Sequence, residues 1–196
     1  MKKLFPILAA LVLSTATQLE AFCCISPEVE VAYFHPLSSR FRDIYGGGAI
    51  YTFELNVQTW CQLYTFANVS YFNESGRSIG EKNKTEITLI PVAFGLKYLW
   101  CCDCFNPYIA AGPLFTHMKT DDHSPYVIKK NEKWGYGATA KVGTLYYIWC
   151  NLFLDAFINY SYMCIGFDHV PSDKPVVRHD ADLSGFSFGG GLGYSF

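Results

Sequence analysis

Cysteine is the residue of this chain best suited to chemistry, and its eight copies are unevenly placed. Seven follow the N-terminal segment or lie beside short gaps between apolar runs: Cys23, Cys24, Cys61, Cys101, Cys102, Cys104 and Cys150. Thiols of exported proteins form disulfides, and both bonds between adjacent turns and cross-links to other proteins satisfy the pattern. "CCDC" supplies only half of a zinc site, because no second Cys/His pair follows at ligand spacing.

Six ionisable residues form a second set, isolated among Gly, Ser, Thr and Asn: Glu28, Glu30, Glu54, Lys97, Lys141 and Asp155. Paired acids could act as general acid and base, as in glycoside hydrolysis. In an enclosed interior of low dielectric constant, the same residues would instead form ion pairs that brace the fold. We favour bracing, and we expect neither a metal nor a cofactor.

The segments that carry these residues alternate between apolar and polar side chains with a period of two, which is typical of strands with two different faces. In "YTFELNVQ", residues 51–58, aromatic and aliphatic side chains take one face and polar side chains the other. Residues 136–143 and 151–162 repeat the pattern. The polar residues never gather on a face of period 3.6, so we predict no helix here.

Eight such segments are present: 28–36, 47–58, 61–73, 86–99, 107–117, 133–147, 151–165 and 184–196. Short gaps near 59–60, 100–106 and 148–150 alternate with long polar ones near 37–46, 74–85, 118–132 and 166–183. An even number of strands with short turns at one end and long loops at the other predicts an all-β fold, an eight-stranded antiparallel transmembrane up-and-down β-barrel. Pro91 falls within a strand, where we expect a bulge.

Composition separates this barrel from a soluble one. Only 16% of the residues are charged, against about 25% in typical soluble domains. A water-facing strand face would carry many Lys and Glu, whereas a narrow lumen needs small or hydrogen-bonding side chains. A net charge of −2 and the lack of basic runs exclude nucleic acid as a partner.

The N-terminus predicts export. Lys2 and Lys3 precede an apolar stretch from Leu4 to Leu13, and Ala21 ends a segment close to the small-residue cleavage pattern. The stretch is about half the length that a membrane-spanning helix needs. We therefore expect a signal peptide at 1–21 and an outer-membrane β-barrel domain at 22–196.

The C-terminus, "LSGFSFGGGLGYSF", places Phe or Tyr at alternate positions up to the last residue. This strand resembles the last strand of small outer-membrane β-barrel proteins of Gram-negative bacteria, with Gly191, Tyr194 and Phe196 matching their terminal signal. The resemblance implies that the barrel-assembly machinery reads this signal. "FRDIYGGG", "SGRSIG" and the cysteine-rich turns are similar to outer-membrane proteins of Chlamydia-like bacteria, which implies disulfide-linked envelopes.

These observations favour a non-enzymatic integral protein of the bacterial outer membrane with a structural or surface-interaction role. Its expected partners are outer-membrane lipids, the assembly machinery and, through disulfides, other envelope proteins. One alternative is a narrow channel for ions or small apolar molecules. Another is a lipid-modifying enzyme, which requires a Ser/His pair near the loop end. The histidines near that end stand in no Ser/His motif: His35, His117, His169 and His179.

Overall fold

The computed structural model describes residues 24–77, 84–102, 105–122, 130–167 and 179–196. These ranges form the strands β1 (Ile25–Pro36), β2 (Gly48–Trp60), β3 (Leu63–Arg77), β4 (Lys84–Leu99), β5 (Phe105–Asp122), β6 (Lys130–Tyr147), β7 (Leu152–Phe167), β8 (His179–Asp182) and β9 (Gly185–Tyr194), and the helix α1 (Ser39–Tyr45). No helix in these ranges is long and apolar enough to span a membrane. The predicted signal peptide, 1–21, lies outside the described residues.

The strands close into an antiparallel barrel, as predicted. β1 to β6 pair in chain order, β7 pairs with β6, and β9 lies between β7 and β1. Val31, for example, lies opposite Tyr51 of β2 on one side and Gly190 of β9 on the other. Closure removes the sheet edges, so that backbone groups are paired within the wall without water.

β8 and β9 together form the eighth strand of the wall. Both pair with β7 in one register, and only Leu183 and Ser184 separate them. The Leu183 N–H donates a hydrogen bond to the Met163 carbonyl at 3.0 Å across this break. The barrel thus has the eight wall strands expected from the sequence, although the last begins at His179 rather than at residue 184. β3 and β5 also extend further toward the loop end than predicted.

Exposure alternates along the strands, with the apolar side chains outside. In β1, Val29 is 59% and Val31 51% exposed, whereas Glu28 and Glu30 are 1% and 3% exposed. The same alternation leaves Phe188 of β9 half exposed. An outer surface of large apolar side chains around a polar interior suits a barrel surrounded by lipid tails.

Pro91 causes no bulge, so that expectation was wrong. The pairs on either side of it keep one register with β3, and Pro91 itself lies opposite Thr116 of β5. Proline has no N–H to donate, and the ladder to β3 has a two-residue gap at this point without slipping. Because the register is kept, alternate residues of β4 point inward along its whole length, and Lys97 stays in the lumen.

The first long loop contains a helix that the sequence analysis did not predict. In α1, Phe41 and Tyr45 lie four residues apart and therefore share one face. Their ring centroids are 5.1 Å apart, and Phe41 is buried with the core of the lumen. The Tyr45 hydroxyl is hydrogen-bonded to Thr85 of β4 at 3.1 Å. α1 packs over the loop end of the barrel because these two rings are removed from water there.

Candidate functional site

The lumen contains the six charged side chains singled out in the sequence. Each is at most 5% exposed: Glu28, Glu30, Glu54, Lys97, Lys141 and Asp155. They come from five strands, β1, β2, β4, β6 and β7. Each lies on the side of its strand that faces the lumen, and this brings the six side chains together. We call these six residues the lumen cluster.

Two lysines hold the cluster together. Lys97 Nζ lies 2.5 Å from Glu54 Oε1 and 3.8 Å from Glu28 Oε2. Lys141 Nζ lies 3.0 Å from the other oxygen of Glu54 and also contacts Glu30. Glu28 and Glu54 are directly opposite each other on β1 and β2, an arrangement that repels. The ammonium groups offset this repulsion.

Neutral partners complete the cluster. Asn68 donates a hydrogen bond to Glu54 at 3.1 Å, and Tyr108 donates its hydroxyl proton to Asp155 at 2.6 Å. The Tyr108 ring also faces Lys97 Nζ, with 4.5 Å between that nitrogen and the ring centroid. Lys141 Nζ has the same distance to the Phe157 ring. Both ammonium groups therefore have carboxylate and aromatic partners in place of water.

Carboxylates outnumber ammonium groups in the lumen cluster by four to two. The buried oxygens without a hydrogen-bond donor are all acceptors: Glu28 Oε1, Asn56 Oδ1 and Asp155 Oδ1. Oxygens of Glu28, Glu30 and Glu54 also lie within 4.8 Å of one another, but the two ammonium groups already contact these carboxylates. The arrangement is suited to bracing, since its acids are ion-paired and buried.

Gly191 of β9 makes room for this cluster. A Cβ atom at this position would lie 2.6 Å from Glu28 Oε1 and 3.0 Å from Glu30 Cγ, so the Glu28 carboxylate would have to shift within the cluster. Within the predicted assembly signal, Gly191 therefore faces the lumen. Tyr194 and Phe196 are exposed on the outside, with ring centroids 4.8 Å apart. The Phe196 N–H donates to the Ile25 carbonyl at 3.0 Å.

The loop half of the lumen is filled mainly by apolar side chains. Large side chains fill it from several strands: Phe34, Phe72, Ile87, Leu89, Leu114, Met118, Met163 and Ile165. A cavity of about 50 Å³ remains between this group and the lumen cluster, lined by Glu30, Lys141 and Phe34 among others. That volume holds a few water molecules at most.

The turn end carries the exposed cysteines, which we call the thiol rim: Cys24, Cys61, Cys101, Cys102 and Cys150. None of these five forms a disulfide with another described cysteine. Two further predicted disulfide cysteines, Cys23 and Cys104, lie outside the described residues. Cys164 is at the opposite end, half-buried, and its thiol donates to the Tyr162 hydroxyl at 3.0 Å.

The structure places the histidines of the enzyme alternative as follows. His35 is exposed on the outer face of β1. His117 Nε2 lies 3.9 Å from a Glu132 carboxylate oxygen, and its ring contacts Trp134. The backbone of His179 begins β8, and His169 lies outside the described residues.

Solved structures resemble this chain in fold. The outer membrane protein OprG from Pseudomonas aeruginosa matches with a TM-score of 0.66 and 16% identity over 89% of this chain and 96% of that chain. Neisserial surface protein A (NspA) matches with 0.60 and 16% over 88% and 97%, and E. coli outer membrane protein W with 0.57 and 14% over 91% and 100%. No protein-family model and no curated protein sequence matches the chain.

At these identities the likeness establishes the fold alone. The chain is an eight-stranded barrel of the outer-membrane type, and the neighbouring structures are outer-membrane proteins. Together with the apolar outer surface, this supports the bacterial outer membrane as the location predicted from the sequence.

Proposed function

We propose that this protein is a non-enzymatic, structural component of the outer membrane. Its barrel anchors it in lipid, its thiol rim links it to other envelope proteins through disulfides, and its long loops face outward as contact surfaces. In the usual orientation of such barrels, short turns face the periplasm. That compartment is oxidising, so the exposed thiols would meet conditions in which disulfides form.

The observation that carries this proposal is the filled lumen. The buried lumen cluster crosses the barrel from β1 to β7. Helix α1 and the apolar group lie toward the loop end, and the cavity between this group and the cluster has a volume of about 50 Å³. An engineered apolar cavity that binds benzene has a volume of about 150 Å³, roughly three times as large. A barrel filled in this way favours a mechanical or recognition role over the passage of solutes.

Conductance in planar bilayers tests the filled lumen. Purified protein should insert without producing steady current, while a general porin inserted under the same conditions conducts. Heat-dependent migration on a gel verifies that the inserted protein is folded. Steady unitary currents from the folded protein would contradict the structural role and favour the channel alternative.

Exposure supports the disulfide part of the proposal. The five thiols of the rim are exposed and unpaired among the described cysteines, and thiols in an exported protein ordinarily pair. The sequence resemblance to cysteine-bearing proteins of Chlamydia-like bacteria, which implies disulfide-linked envelopes, points the same way. NspA, whose fold is similar, is named a surface protein, which agrees with the proposal that the long loops make contacts outside the cell.

One observation favours a second function, passage of small apolar molecules from the loop side. The apolar residues Phe34, Phe72 and Leu89 line the cavity together with Met163, and an apolar solute would contact these side chains, although polar residues such as Asn68 share the lining. Uptake of a short alkane by cells with and without the protein tests this. Equal uptake rates would reject the second function and leave the structural role unaffected.

The absence of catalysis is also part of the proposal. His117 contacts Glu132 and Trp134, and no hydrogen bond within the part of the chain that the structure describes joins it to a Ser, Thr or Cys side chain that could act as a nucleophile. Mass spectrometry of lipid A from cells with and without the protein should give identical acylation patterns. A mass difference of one acyl chain would favour the lipid-modifying alternative.

A further inference from the structure

Each of the three short turns contains a tryptophan followed directly by a cysteine: Trp60–Cys61, Trp100–Cys101 and Trp149–Cys150. The chain has four tryptophans in all, so three of the four precede a cysteine. Tight turns favour Gly, Asn, Asp and Pro for conformational reasons, and nothing in that preference calls for an indole or a thiol. The repeated pair therefore requires an explanation of its own.

The indoles are on the outside at the level of the turns. Trp60 and Trp149 are each 75% exposed and Trp100 is 44% exposed. Tryptophan side chains of membrane proteins concentrate at the boundary between lipid and water, where the ring is apolar and its N–H remains hydrated. Indoles with this preference at all three turns would hold the turns at one depth and bring the following thiols to the membrane surface.

The three Trp–Cys turns are separated from one another around the barrel wall. Neighbouring turns are two strand positions apart in the wall, which corresponds to about 10 Å at about 4.8 Å per strand. Disulfides join Cα atoms at about 4.4 to 6.8 Å. Direct bonds among Cys61, Cys101 and Cys150 would therefore require their turns to move toward one another, whereas bonds to a partner outside the barrel would not.

We propose that this partner is a second copy of the same chain, lying beside it in the membrane and joined through the Trp–Cys turns. The inference rests on the proposed disulfide function and names its partner. A second copy carries the same anchoring indoles, so its thiols lie at the same depth. Since the turns point in different directions around the rim, contact on several sides brings two of them together.

The number of thiols at the turns of each chain determines the size of the disulfide-linked oligomer. One thiol per chain permits one bond, and the product is a symmetric dimer. Two thiols on different turns permit bonds on two sides, which gives open chains of barrels rather than closed pairs. Each bond forms when two thiols lose two protons and two electrons to a protein disulfide of the periplasm, which is reduced to its dithiol.

The test uses the full-length chain in the outer membrane of a host that forms disulfides, with free thiols blocked by alkylation before extraction. A variant that keeps only Cys150, with Ser at the other seven positions, should give a disulfide dimer and no larger species. A variant that keeps Cys61 and Cys150 should give a ladder of larger species. The matched control keeps only Cys164, at the opposite end, and should remain monomeric.

Two differently tagged copies, expressed together, identify the partner. Capture through one tag should recover the other without reductant and lose it with reductant, and mass spectrometry should find a peptide joined to its own copy. Disulfides only to other proteins would overturn the second-copy inference and leave the proposed cross-linking role intact. Bonds within one chain alone, or thiols that are all free to alkylate, would overturn both.

A further variant tests whether the indole positions the neighbouring thiol. Trp149→Ala in the variant that keeps only Cys150 retains the thiol but removes the indole that anchors the turn at the membrane interface. The fraction of disulfide dimer should then fall several-fold, because the two thiols are no longer held at the same depth. Heat-dependent gel migration verifies that the barrel is still folded. An unchanged dimer fraction in the folded variant would show that the indole does not position the thiol, contrary to the inference.

Discussion

Replacing Lys141 by Met gives the sharpest test of the lumen cluster. The side chain of Lys141 is 7% exposed, and its ammonium group contacts Glu30 and lies 3.0 Å from Glu54. Methionine keeps most of the stem and fits irregular interiors, so the change removes a charge more than a volume. Glu30 and Glu54 would then face each other in the lumen with one fewer counter-ion.

The expected loss is about 3 to 5 kcal/mol of unfolding free energy, the usual result of removing one partner from a buried ion pair. Lys119→Met is the matched control. Lys119 Nζ lies 3.7 Å from Glu132, and the two side chains are 44% and 57% exposed. An exposed pair of this kind contributes about 0 to 1 kcal/mol, so the two variants should differ severalfold in effect.

Urea unfolding of the protein in lipid vesicles measures both variants. Tryptophan fluorescence reports the transition, because the indoles leave the lipid interface when the barrel opens. A second variant, Lys141→Met with Glu30→Gln, removes the carboxylate that lost its partner and should regain part of the stability. If Lys141→Met costs no more than Lys119→Met, the cluster does not brace the barrel and the reasoning fails.

Three other predictions follow from the geometry. Gly191→Ala should destabilise the barrel by about 1 to 3 kcal/mol through overpacking of the lumen. Gly190→Ala is the control and should lower the unfolding free energy less, because the Cβ atom would approach only the Asp155 carbonyl oxygen, at 3.0 Å. Equal losses of unfolding free energy in urea would contradict the lumen contact of Gly191. Deletion of Phe196 should lower the yield of folded barrel in cells, and an unchanged yield on heat-modifiability gels would remove it from the assembly signal. After treatment with a membrane-permeant reductant, an impermeant maleimide should label Cys61 only once the outer membrane is permeabilised, and labelling of intact cells would reverse the orientation.

The barrel wall was predictable because its information is local. Side chains two residues apart on a strand share a face, so Thr52, Glu54 and Asn56 had to point the same way wherever the strand was placed. The lengths of the gaps then gave the up-and-down order, because short turns join only antiparallel neighbours. The same local rules misjudged Pro91, where the pairing with β5 and the register on both sides outweigh one missing donor.

The helix α1 shows what was available in the sequence but not decisive. Phe41 and Tyr45 have helical spacing, yet two apolar residues in a polar loop do not require a helix, since an isolated helix of seven residues is unstable in water. The helix forms because the mouth of the barrel buries Phe41 and supplies Thr85 as a partner for Tyr45. Those groups come from elsewhere in the chain.

The sequence by itself determined the inward face of each strand, the eight-strand wall and the residues that had to be enclosed. Which carboxylate meets which lysine was decided only by closure of the barrel, since Lys141 and Glu30 are 111 positions apart and meet across the lumen. Periodicity fixes a face but not the height or angle at which two distant strands meet. Height and angle follow from register and closure, and these turn six separate charges into one braced cluster.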